Sequence, residues 1–131
     1  MCGGGCMTKQ KNILIAEDDA NIALAVKTLL RKPTNGANIT IVADGQEALE
    51  CLQQGHYDLL ISDWNMPRLS GNELLVEVRA NAATARLPFL MLSARSDVVS
   101  SIKAGVTDYI AKPFDNAELI ALVVKLLAAE E

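Results

Sequence analysis

Histidine occurs once in these 131 residues, at position 56, so no His-rich metal centre can be assembled. Aromatic residues are scarce too: two Phe, two Tyr and one Trp, against an apolar fraction of 50%. A sizeable core can be buried, and it must be aliphatic. Cysteine is limited to Cys2, Cys6 and Cys51, an odd count that argues against a disulfide framework. There is no basic excess. The net charge of −4 leaves no electrostatic footprint for nucleic acid and none for an anionic membrane surface. No apolar run approaches the length of a membrane span, and the N-terminus lacks the basic-then-apolar layout of a secretory signal. The expectation is one compact cytoplasmic domain over residues 11–131, preceded by a tail over 1–10. That tail reads as a flexible segment or an expression remnant. Its Cys2-Gly3-Gly4-Gly5-Cys6 run also suggests a metal or redox clip, but a zinc site needs about four ligands and only two lie here.

Short apolar runs alternate with helical patterns five times. Residues 12–16, Asn-Ile-Leu-Ile-Ala, read as a buried strand from their continuous apolar character. Ile22, Val26, Leu29 and Leu30 then share one face of a helix over 20–32, which Pro33 and Gly36 end. A second strand is predicted over 39–43. Asp44 follows as an N-cap with Glu47 three residues on, as in a capping box, and the helix runs to Gln54, closed by Gly55. A third strand, 58–62, ends at Asp63. After a loop holding Pro67 and Gly71 comes a helix carrying Leu74, Leu75 and Val78, then a fourth strand over 87–93. Ser96 or Asp97 caps a short helix with Val98, Val99 and Ile102, stopped by Gly105. A fifth strand spans 107–111, and Asp115 caps a last helix that runs nearly to the end. Five strand–helix pairs with short links imply parallel strands joined by right-handed crossovers, with helices on both faces. The fold class is therefore α/β, a three-layer doubly wound sheet rather than a barrel.

Polar residues gather where such a sheet binds ligands, at the carboxyl ends of the strands. Glu17, Asp18 and Asp19 follow the first strand, Asp63 the third; Ser93 ends the fourth and Lys112 follows the fifth. Taken singly, each has a bland reading: a helix cap for Asp19, a turn residue for Asp63, a solvated side chain for Lys112. Their joint occurrence at several strand ends is the signal. Clustered carboxylates repel unless a cation arrives, and an all-oxygen donor set selects magnesium or calcium over zinc. Magnesium is often held by one or two carboxylates plus phosphate oxygens. With a lysine for charge and a serine hydroxyl as donor, the set describes a phosphoryl group on a carboxylate.

The motifs Ile15-Ala16-Glu17-Asp18-Asp19, Ile61-Ser62-Asp63-Trp64-Asn65-Met66-Pro67, Gly71, Leu92-Ser93-Ala94, Gly105 and Lys112-Pro113-Phe114 resemble those of CheY-like receiver domains of response regulators. The resemblance covers roughly residues 11–129. It implies a flavodoxin-like strand order 2-1-3-4-5. It implies Asp63 as the phosphoacceptor, and Mg2+ held by Glu17, Asp18, Asp63 and the carbonyl of Asn65. Lys112 would contact the phosphoryl group, with Ser93 as switch hydroxyl and Tyr109 as switch aromatic. A cis peptide before Pro113 is implied as well. The partners implied are a sensor histidine kinase or phosphotransfer protein upstream, and a target protein or output domain downstream. No enzyme activity on external substrates is expected, only self-phosphorylation and autodephosphorylation.

The switch has a physical basis. A phosphoryl group adds about −1.5 to −2 charge and three acceptor oxygens. Ser93 bonding one of them would draw the end of the fourth strand inward, and the Tyr109 ring would enter the space vacated. The readout surface would be the fourth helix, fifth strand and last helix. In that last helix Leu119, Ile120, Leu122, Val123, Val124, Leu126 and Leu127 cover an arc of roughly 200° at about 100° per residue, about twice what one buried face requires. The excess is either a partner or dimer surface or scattered exposed aliphatics. Two rival functions fare worse. A flavodoxin-like carrier needs a Ser/Thr/Gly phosphate loop where this chain has Glu17-Asp18-Asp19. An aspartate-based phosphatase needs a second acid two residues past its nucleophile, where this chain has Asn65. A receiver cut from a longer regulator or hybrid kinase stays open.

Overall fold

The computed structural model describes residues 10–94, 106–112 and 114–129, with backbone alone for Ser93, Ala94 and Ala129. Over these residues the chain alternates strand and helix: β1 Asn12–Ala16, α1 Ala20–Arg31, β2 Asn38–Val42, α2 Gly45–Gln54, β3 Leu59–Asp63, α3 Gly71–Ala80, β4 Phe89–Ala94, β5 Asp108–Lys112 and α4 Asn116–Ala129. The tail, the short helix expected after Ser96 or Asp97, and Pro113 with its cis peptide lie outside the described residues. All strand pairs are parallel, and the sheet order is β2-β1-β3-β4-β5, as expected. No helix among the described residues is long and apolar enough to cross a membrane.

Alternation along the strands divides the core into two layers. Ile13 and Ile15 of β1, Leu59 and Ile61 of β3, Leu90 and Leu92 of β4 and Ile110 of β5 face α1 and α4, meeting Ala23, Val26, Leu30, Leu119, Val123, Leu126 and Leu127. Leu14, Ala16, Leu60, Phe89 and Met91 face the other way, onto Ala48 and Leu52 of α2 and Leu74, Leu75 and Val78 of α3. The central strand, β3, is buried at every position. The wide apolar arc of α4 is largely absorbed by the core. Leu119, Val123, Leu126 and Leu127 are buried, Ile120 and Leu122 half-buried, and Val124 alone of the seven is exposed, at 43%.

Competition for backbone N–H groups sets the element ends. The Ala43 N–H goes to Glu47 Oε1 at 2.8 Å, so β2 stops at Val42 rather than Ala43. Pro88 has no N–H and the Leu87 N–H turns back to the Thr84 carbonyl, so β4 opens at Phe89 rather than Leu87. The caps at Asp19, Asp44 and Asp115 form through their carboxylates. Ser70 and Glu73 form a reciprocal capping box at the start of α3. Gly55 closes α2 with extended backbone rather than a left-handed turn.

Candidate functional site

The carboxyl ends of β1, β3 and β5 meet at one rim of the sheet. Ala16 pairs with Ser62, so the residues that follow, Glu17 and Asp63, arrive side by side. Lys112 pairs with Ala94 at the far end of β5 and reaches back across β4. Its Nζ lies 2.9 Å from Asp63 Oδ1 and 3.2 Å from Glu17 Oε1. Asp18 completes a carboxylate triad, with one oxygen each of Glu17, Asp18 and Asp63 within 4.8 Å of one another. Asp19 is diverted from this cluster. Its carboxylate accepts from the N–H groups of Asn21 and Ile22 and caps α1, while its own N–H donates to Glu17 Oε2 at 3.2 Å.

Glu17 and Asp63 are buried and Asp18 is exposed. Burial pushes the Glu17 carboxyl above its ordinary value. The Asp19 N–H opposes this, the negative Asp63 adds to it, and Lys112 opposes it again. Burial would lower the Lys112 ammonium, but its bonds and attraction to Asp63 and Glu17 prevail and hold it raised. Lys112 is therefore a fixed cation shared by two carboxylates. The Trp64 N–H also donates to Asp63 Oδ1, at 3.0 Å. Both contacts fall on Oδ1, and Oδ2 takes no hydrogen bond among the described residues.

The backbone behind Asp63 is tightly packed. Ser62 Oγ donates to the Asp63 carbonyl at 2.9 Å. A Cβ on Gly71 would collide with that same carbonyl and crowd the Trp64 Cα. The Gly71 N–H closes the intervening loop on the Trp64 carbonyl at 2.8 Å. Asn65 sits exposed on this loop. Further along, Arg68 stands in the left-handed region at φ 67°. Its guanidinium forks onto Asp44, Nε to Oδ2 at 3.0 Å and Nη2 to Oδ1 at 3.3 Å. Burial would raise the Asp44 carboxyl, but the Glu47 N–H and Arg68 outweigh it and hold it below the ordinary range.

The structure thus brings together Glu17, Asp18, Asp63 and Lys112, while Asn65 follows Asp63 by two residues, exposed on the loop. Ser93 lies in β4 opposite Ala111, with its hydroxyl outside the described residues. Tyr109 pairs with Met91, and its ring is half-buried against the α2–α3 side of the core. The Arg68 fork onto Asp44 escapes the sequence, because 24 residues separate the pair and Asp44 reads only as a cap. An all-oxygen triad of two buried carboxylates and one exposed one suits a hard divalent cation such as magnesium.

Comparison with known proteins bears on the family and the fold. Residues 13–124 match the model of the response regulator receiver domain family. The chain is 40% identical over 117 residues to the chemotaxis protein CheY-3 of Vibrio cholerae serotype O1, covering 86% of this chain and 88% of that protein. Its fold superposes on a response regulator receiver domain from Francisella with a TM-score of 0.83 at 34% identity, covering 93% of this chain and 100% of that one. It also superposes on the receiver domain of a sensor histidine kinase from Pseudomonas aeruginosa PAO1, with a TM-score of 0.83 at 31% identity and coverage of 92% and 99%. That protein holds a magnesium ion in its active-site cleft.

Proposed function

Because the chain belongs to the response regulator receiver domain family of two-component signalling, we propose that it accepts a phosphoryl group on Asp63 from a phosphohistidine. The donor is a sensor histidine kinase or a phosphotransfer protein. The observation that carries this reading is the Lys112 ammonium 2.9 Å from Asp63 Oδ1, beside two further carboxylates at the ligand-binding rim of the sheet. Lys112 and the Trp64 N–H fix one oxygen of Asp63, leaving Oδ2 to attack phosphorus. The P–O bond forms as the donor P–N bond breaks, and the departing imidazole takes up a proton. Lys112 then pairs with the phosphoryl oxygens, a charge already in place before the reaction. Glu17, Asp18, Asp63 and the Asn65 carbonyl would hold Mg2+, which when bound neutralises the carboxylates and the incoming phosphoryl charge.

The output is a switch rather than turnover of external substrates. Ser93 bonds a phosphoryl oxygen, Tyr109 moves inward, and the surface built on the short helix expected after Ser96 or Asp97, β5 and α4 changes for a downstream protein or output domain. Each charge-assisted bond gained is worth roughly 1.5–3 kcal/mol, so two shift a population about a hundredfold or more. The domain, residues 11–131, works in the cytoplasm.

Trp64, the only tryptophan, adjoins Asp63 and reports on the site. Its fluorescence is expected to change on titration with magnesium. It should change again on adding acetyl phosphate or beryllium fluoride, and this second change should be absent in Asp63→Asn. A second change that survives in Asp63→Asn would overturn the assignment.

A further inference from the structure

Resting on that metal-dependent reading, we infer that the Asp44–Arg68 fork positions the loop after β3 and so sets the affinity of the site for its divalent cation. The loop runs from Trp64 to Ser70 and contains Asn65. Its carbonyl, the oxygen assigned to the metal, accepts no hydrogen bond among the described residues. Where that oxygen sits therefore depends on how the loop is fastened on either side.

The loop's first residue is anchored by the Trp64 N–H on the Leu92 carbonyl and its last by the Ser70–Glu73 capping box. Between them, among the described residues, three further fasteners act, each on a different partner. The mouth of the loop is closed by Gly71 N–H on the Trp64 carbonyl, with Gly71 packed against Asp63. Near its end the loop is pinned by the Gly45 N–H, which donates to the Leu69 carbonyl at 3.1 Å, and a Cβ on Gly45 would collide with that carbonyl. The third is Arg68. Its φ of 67° is a conformation that side chains beyond glycine rarely adopt. Glycine would sit there without strain, but it could not reach α2. The arginine reaches Asp44, which is 7% exposed and uses both oxygens for the fork while Oδ1 also caps α2 at the Glu47 N–H. A planar fork onto a carboxylate fixes direction as well as distance, which a lone ammonium does not. The loop is thereby tied to the first turn of α2, a rigid element packed in the core through Ala48 and Leu52.

Arg68→Gly removes the fork while relieving the backbone, which separates positioning from stability. The metal-free melting temperature of this variant should stay within about 2 °C of wild type or rise. Its magnesium dissociation constant, read from Trp64 fluorescence, should increase about tenfold, the scale of losing an outer partner of a metal ligand. Asp44→Asn keeps an oxygen for the cap but loses the charge, and should weaken magnesium in the same direction. The double variant should bind no more weakly than the worse single one, since both break one device. Arg68→Lys should recover only part of the affinity. Two results would overturn the clamp alone: a responsive wild type whose variants bind magnesium equally well, or, in Arg68→Gly, a loss of affinity that only tracks a matching fall in melting temperature. A wild type with no magnesium response would overturn the clamp together with the reading it rests on.

Discussion

Gly71 has space for a hydrogen atom and little more. Its φ is ordinary, so the constraint is contact with the Asp63 carbonyl and the Trp64 backbone, neither of which can swing aside as a side chain would. Gly71→Ala is expected to cost about 1–3 kcal/mol, the usual range for overpacking, seen as a lower urea midpoint. It should also shift Trp64 emission in the metal-free protein, because the strain falls on the strand end that carries the site. Lys112 is tested by the opposite logic of removal. In Lys112→Met, Glu17 and Asp63 face each other without their shared cation. Breaking a fully buried pair costs about 3–5 kcal/mol. With Lys112 26% exposed, a loss of about 1–3 kcal/mol is expected in metal-free protein, and magnesium should restore most of it. Asp18 is the exposed member of the triad and lies outside the lysine's contacts. Asp18→Asn should therefore raise the metal-free melting temperature only slightly, by about 1–3 °C, while abolishing the magnesium response. A fall in melting temperature would show that the carboxylate contributes stability rather than strain.

Elements were legible from the sequence where the hydrophobic period is strong, and their ends were less so where a side chain takes a backbone donor from the strand ladder. The run Leu59–Ser62 announces a central strand because both its faces are covered. The Asp44–Glu47 spacing points the glutamate at the N–H of Asp44 itself, but it takes that of Ala43 one residue earlier, and so β2 ends at Val42. The Ser70–Glu73 capping box has a local signature, Ser-x-x-Glu ahead of an apolar run. At the Asp44 cap of α2 the consequence is electrostatic. Its carboxyl is held below the ordinary value in the folded chain, so the folded state binds that proton more weakly than the unfolded state does. The stabilisation is then complete above the unfolded value of about 3.9 and is lost as pH falls through the lower folded value. The stability difference between wild type and Asp44→Asn should be constant from pH 7 to about 5, shrink below about 4, and vanish in stronger acid. Urea midpoints measured across that range check it, and a difference that persists in strong acid would show that the cap acts without its charge.

At the scale of the molecule, the candidate site belongs to the sheet rather than to any one segment. Glu17, Asp63 and Lys112 are separated by 46 and 49 residues along the chain, and the parallel register alone makes them neighbours. Their positions were legible because each ends an apolar run, and strand ends converge on one rim. The Arg68 fork was not, because a charged residue in a loop carries no periodic signal and its partner is fixed only by tertiary packing. This distribution has a thermodynamic consequence. An ion held by the ends of β1 and β3 can bind only when those strands are assembled, so its binding energy should oppose global unfolding. Magnesium at ten times its dissociation constant is expected to add about 1.4 kcal/mol. Amides of β1 and β3 that exchange only by global unfolding should then slow about elevenfold, by the same factor of one plus ligand over dissociation constant. Amides at the far end of α2, around Cys51 to Gly55, exchange by local fraying away from the rim and should be unchanged. Native-state hydrogen exchange with and without magnesium distinguishes the cases. Slowing confined to Trp64 to Gly71 would mean that the ion orders a loop and leaves the sheet's stability untouched.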